Sequence, residues 1–207
     1  MKRVPMNRSL STGLFLILFS IAATAEGRRI DAKFAGDACP PNSVNVVMSP
    51  DGESMSVLFD NFQAEAGGST GKAIARVNCT ATIPIDLPKG TGLGVYKIDY
   101  RGFQSLPLRS LGELNVDYDL GTVRIPGFRR LFAGALKDGD YLVTDIIPQV
   151  RFLGCDGANV NLVMRATLSV TTNPKKDQAI VFLDTVDGAP KCGVIYHLQY
   201  RKCNVNH

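Results

Sequence analysis

The chain has 207 residues, with 23 Lys and Arg against 19 Asp and Glu, 20 glycines, 11 prolines and no tryptophan. So balanced a charge gives no electrostatic case for nucleic acid or an anionic membrane surface as partner. The length suits one domain with a substantial core, and no shift in composition marks a second.

The chain opens on Lys2, Arg3 and Arg8, an apolar run from Leu10 to Ala23, and the small-x-small triplet Ala23-Thr24-Ala25. This pattern predicts a secretory signal peptide over residues 1–25. The run falls short of the about 20 residues a spanning helix needs, so the mature chain is expected to carry no transmembrane segment. Residues 26–207 are read as a secreted protein, extracellular or, in a host with two membranes, periplasmic. Its partner is then an unspecified extracellular or envelope component. The leader holds three of the cations and no acid, which leaves 182 residues with a net charge of +1. Residues 26–38 read as a flexible lead-in and 39–207 as a single domain.

Within that domain, two-residue alternation recurs. Met55, Val57 and Phe59 alternate with Ser54, Ser56 and Asp60; Leu114, Val116, Tyr118 and Leu120 with Asn115, Asp117 and Asp119. The clearest stripe is Val160, Leu162, Met164, Ala166, Leu168 and Val170. Such stripes predict strands with one face on a core and one in water. Turn signals fall between them at Pro50-Asp51-Gly52, Pro88-Lys89-Gly90, Lys137-Asp138-Gly139-Asp140, Asn173-Pro174 and Asp187-Gly188. Only Phe128 to Leu136, opened by Pro126-Gly127, offers room for a short helix. The expected fold is an all-β, antiparallel β-sandwich of about nine or ten strands, with at most one short helix.

Reactive groups are sparse. Gly67-Gly68-Ser69-Thr70-Gly71 has the letters of a nucleophile elbow but lacks the strand-to-helix setting that motif requires, and reads as a glycine-rich loop. Continued to Lys72 it fails as a phosphate loop, because Ala66 and Ala73 stand at the required Gly and Ser/Thr positions. Asp99, Asp117, Asp119, Asp138 and Asp140 are calcium candidates without the ordered loop calcium sites use, and read as solvated turn and strand acids. His197 alternates with Ile195 and Gln199 on the polar side of a strand and reads as a surface residue. Without Trp, sugar stacking would fall to Tyr96, Tyr100, Phe103 or Tyr200, which in sandwich strands commonly pack inside. Asn78-Cys79-Thr80 spells a glycosylation acceptor with a cysteine inside it. No catalytic, cofactor or metal site is expected.

The five cysteines are Cys39, Cys79, Cys155, Cys192 and Cys203. In an oxidising compartment they predict disulfides with one thiol left over. Cys192 and Cys203 flank one strand whose ends lie roughly 35 Å apart, too far to bridge each other. Zinc is disfavoured, since there is no Cys-x-x-Cys and only two histidines.

Several short elements, in order, resemble a known family. They are Cys39-Pro40, Ser43-Val44, Ser49-Pro50-Asp51-Gly52, Val57-Leu58-Phe59-Asp60, Arg76-Val77-Asn78-Cys79, Asp99-Tyr100-Arg101-Gly102-Phe103, Cys155 with Asn159-Val160-Asn161, and Tyr200-Arg201-Lys202-Cys203. Over most of residues 39–203 the chain is similar to the secreted bacterial and fungal domain-of-unknown-function family 4360. The resemblance implies four recurrent cysteines paired Cys39–Cys79 and Cys155–Cys203, which leaves Cys192 as the free thiol. It implies no activity, cofactor or catalytic residue. The chain departs from it in having Phe152 and Tyr200 where Trp is frequent. The expectation is a non-catalytic extracellular or envelope interaction protein, with a glycan-binding module or a hydrolase of polysaccharide or peptide as the alternative.

Overall fold

The computed structural model describes residues 27–134, 138–157, 159–183 and 193–203. The expected signal peptide, the Asp187-Gly188 turn and Cys192 lie outside the described residues. Thirteen strands are described: β1 (Arg28–Ile30), β2 (Lys33–Ala35), β3 (Val44–Met48), β4 (Ser54–Phe59), β5 (Gln63–Ala66), β6 (Ile74–Ile85), β7 (Thr91–Ser105), β8 (Leu111–Leu120), β9 (Val123–Ala133), β10 (Gly139–Ile146), β11 (Val160–Thr171), β12 (Ala179–Phe182) and β13 (Val194–Lys202). All pairings are antiparallel. One sheet has eight strands, ordered β1-β3-β4-β13-β7-β12-β5 with β10 also paired to β7, and the other five, ordered β2-β6-β11-β8-β9. The architecture is the expected all-β sandwich.

Two expectations differ. Residues 26–38, read as a flexible lead-in, contain β1 on β3 and β2 on β6, one in each sheet. Strands of three residues are too short to show alternation, which also explains a count above nine or ten. The stretch Phe128–Leu136, read as room for a short helix, belongs to strand β9 as far as Ala133. Here Val116 pairs with Phe128 and Tyr118 with Ile125, so Pro126 and Gly127 bulge opposite Asp117 alone. The extra residue places Ile125, Phe128 and Phe132 inward at helix-like spacing. Pro126 is tolerated because β9 is an edge strand.

The core lies between the sheets. The inner stripes of β8 and β11 are buried, and Met55, Val57, Phe59, Ile98, Tyr100, Val194 and Tyr196 face them from the larger sheet. Tyr100 stacks on Phe128, with ring centroids 4.9 Å apart, and Tyr141 packs on Phe132 at 4.6 Å. Two disulfides pin the sandwich, Cys39–Cys79 with Cα atoms 5.5 Å apart and Cys155–Cys203 at 5.7 Å. A Cβ at Gly92 would lie 3.3 Å from the sulfur of Cys155 and 3.5 Å from that of Cys203, so a residue without a side chain lets the second bridge sit on β7.

One acid points into the sandwich. Tyr118 Oη donates to Asp145 Oδ2 at 3.3 Å, and burial pushes the Asp145 carboxyl above its ordinary value against the opposing effect of that bond. Among the described strands β10 pairs with β7 alone, and an inward charge on it discourages a further strand from adding to this edge.

Candidate functional site

A bulge in β7 builds the surface feature richest in chemistry. β13 pairs Leu198 with Val95 and His197 with Lys97, so Tyr96 is an extra residue with no opposite number. Val95 and Ile98 on either side are both buried, while Tyr96 is exposed and Lys97 half-buried. The bulge thus turns two consecutive side chains outward, a common device for re-aiming residues at a site.

Behind Tyr96 stands a polar cluster. Asp99 pairs with Ile195 of β13 and Thr144 of β10, so its carboxylate lies between the outward side chains of three strands. Thr144 Oγ1 donates to Oδ1 at 2.6 Å, and Lys97 Nζ lies 3.1 Å and His197 Nε2 2.8 Å from Oδ2. Burial raises the Asp99 carboxyl, but the bonds from Thr144, His197 and Lys97 outweigh it and hold the group below the usual carboxylate range. An ionised carboxylate only accepts, so Nε2 of His197 carries the hydrogen. The ring of Tyr96 lies 5.9 Å from that of His197.

Beside the cluster, Glu53, Tyr96, Leu198, Gln199 and Tyr200 line an open cleft of about 470 Å³. Glu53 comes from the β3–β4 hairpin, whose Pro50-Asp51-Gly52 turn is tied by Ser49 Oγ to Asp51 Oδ1 at 2.5 Å. Tyr200 Oη donates to the Gly52 carbonyl at 3.0 Å and fixes its ring against this hairpin. Leu198 N–H donates to the Glu53 carbonyl at 2.8 Å, just past the last β13–β4 pair, where the two strands diverge and open the cleft.

The other sequence candidates are dispersed. Ser69 lies in a 3-10 turn over Gly68–Thr70 beyond β5, while His197 pairs with Lys97. β5 joins β7 through β12, which pairs with Phe103–Ser105, roughly 20 Å along β7 from Lys97. Asp117 pairs with Arg124 at 3.2 Å and Asp119 with Arg165 at 2.6 Å. Among the described residues, no three His, Cys, Asp or Glu side chains gather as metal ligands. Of the four aromatic candidates, Tyr96 and Tyr200 reach the cleft, Tyr100 is buried and Phe103 lies against Phe182. In the sequence His197 reads as a solitary surface residue, because its partner Asp99 is 98 positions away.

The chain is 26% identical, over 176 residues, to an "Uncharacterized secreted protein" of Arthroderma benhamiae, covering 84% of this chain and 71% of the relative. Among solved structures it is similar to TmCBM61 in complex with β-1,4-galactotriose, with a TM-score of 0.28 and 12% identity over 83% of this chain and 88% of that one. It is also similar to the enzymatically active domain of tailspike protein 4 of bacteriophage CBA120, with a TM-score of 0.29 and 14% identity over 84% of this chain and 19% of that one. No described helix is long and apolar enough to cross a membrane. This is a secreted, disulfide-bonded β-sandwich. The model of the domain of unknown function DUF4360 matches residues 29–203, and the chain belongs to that family.

Proposed function

We propose that the domain binds glycan chains outside the cell without cleaving them, through the cleft between Tyr96 and Tyr200. The observation that carries this reading is that two exposed tyrosines line one open cleft together with Glu53 and Gln199. A tyrosine ring offers an apolar face to the C–H side of a sugar and a hydroxyl to its polar side. Glu53 and Gln199 supply an acceptor and a mixed donor–acceptor for sugar hydroxyls. The Asp99 cluster stiffens the wall behind Tyr96. Its carboxylate, held ionised, has the opposite character from the raised-pKa acid a glycoside hydrolase needs.

The test is a glycan array of neutral cell-wall oligosaccharides, followed by calorimetry on the strongest hits. Y96A and Y200A should each weaken binding at least tenfold, about 1.4 kcal/mol, while Y200F, which keeps the ring, should bind nearly as wild type. Binding unaffected by either alanine would reject the cleft, and release of new reducing ends would replace binding with hydrolysis.

We further propose that Cys192 is the one free thiol. Alkylation of the denatured, unreduced mature protein should label a single cysteine, mapped to the peptide around residue 192. Label on Cys39, Cys79, Cys155 or Cys203 would contradict this assignment.

A further inference from the structure

A second cleft, of different chemistry, opens at the mouth of the sandwich. Ile147 N–H donates to the Tyr96 carbonyl at 3.0 Å, the chain then loops outward, and Leu153 rejoins β7 through reciprocal bonds with Leu93 at 2.8 and 3.0 Å. The loop faces the start of β9 across a cleft of about 290 Å³ lined by Val95, Ile125, Ile147, two prolines, Gln149 and the arginines Arg124 and Arg151. Val95, Ile125 and Ile147 are each at most 6% exposed and form an apolar floor. Pro126 and Pro148 fix the backbone on the two sides.

We propose that this cleft binds a small amphiphilic anion, an apolar body of roughly six to ten carbons ending in a carboxylate. The lining holds two cations and no acid. Guanidinium groups grip a carboxylate through two parallel N–H bonds, with the geometric match a lysine lacks. The floor offers nothing to a sugar hydroxyl but buries a hydrocarbon tail. Head and tail thus find separate partners in one cleft, which sets it apart from the polar, tyrosine-lined cleft. The competing acid is Asp117, whose Oδ1 lies 3.2 Å from Arg124 in an exposed pair that a ligand carboxylate can displace.

The probe is sodium octanoate, titrated into the mature protein and followed by the methyl NMR signals of Val95, Ile125 and Ile147. Saturable shifts with a Kd near 1 mM are expected. Octanol, with the tail alone, and propanoate, with the head alone, should each bind at least tenfold more weakly. R151A and R124A should each weaken octanoate at least fivefold, whereas D117N, which frees Arg124, should tighten it. Y96A should leave octanoate binding unchanged, so failure of the glycan reading and failure of this one are distinguishable. The proposal is overturned if the three methyls do not respond to octanoate, if octanol binds as tightly, or if the arginine variants bind as wild type.

Discussion

Replacing Cys155 and Cys203 together with alanine is expected to destabilise the domain by about 4 kcal/mol and to abolish glycan binding. The bridge closes a loop spanning 48 positions, and the entropy restored to the unfolded chain on opening it accounts for that size. The binding loss comes from location. Past Leu198, β13 has left β4 and pairs with β7 alone, so Tyr200 rides on a half-supported strand end anchored by Cys203. On the other flank, Phe152 packs beside Gly92 and carries the Arg201 guanidinium 4.3 Å above its ring, so freeing Cys155 loosens the same corner. The control is C39A/C79A. Its loop is of similar size, spanning 40 positions, and its loss should cost a similar amount. Cys79 lies on β6 in the opposite sheet, so that variant, where folded, should bind normally. Urea titrations give the stabilities and calorimetry the binding. Equal binding by the two variants would dissociate the cleft from the Cys155–Cys203 bridge.

The sequence carried the long strands because alternation over six or more residues has a single physical reading, burial of one pleated face. β11 shows it most fully, with Val160, Leu162, Met164, Ala166, Leu168 and Val170 all buried. Bulges escape such a reading, since one added residue leaves no mark of its own yet inverts every side chain beyond it. Tyr96 and Tyr100 are four apart and would share a face in a regular strand; the β7 bulge sends one to solvent and the other into the core. The β9 bulge gave Ile125, Phe128 and Phe132 the spacing of a helix face. Composition therefore offers Tyr96 and Tyr200 as aromatic candidates together with Tyr100 and Phe103, and parity does not separate Tyr96 from Tyr100. The Asp99 cluster is illegible for another reason. Its members come from β7, β10 and β13, and only the strand order makes them neighbours.

That cluster also governs the response of the fold to acid. The carboxyl of Asp99 sits below its ordinary value in the native state, so in acid the unfolded chain binds more protons at this position than the folded one does. Its contribution is therefore complete above the unfolded value of about 3.9 and is lost as pH falls through the lower folded value. Asp99→Asn keeps the size of the side chain and an acceptor for Thr144, but removes the charge that Lys97 and His197 share. At pH 7 the variant should be less stable by about 2 kcal/mol, the scale of hydrogen bonds to a charged group. Below pH 5 the wild type should lose that advantage as the carboxylate takes up its proton, and the two stability curves should converge in acid. Thr144→Val, which deletes one neutral donor and leaves the ion pair, should fall between them at neutral pH. Urea midpoints measured across this range decide the matter: parallel curves for wild type and Asp99→Asn would mean that the carboxylate is no better held in the native state than in the unfolded chain, and the stiff wall assigned to Tyr96 would go with it.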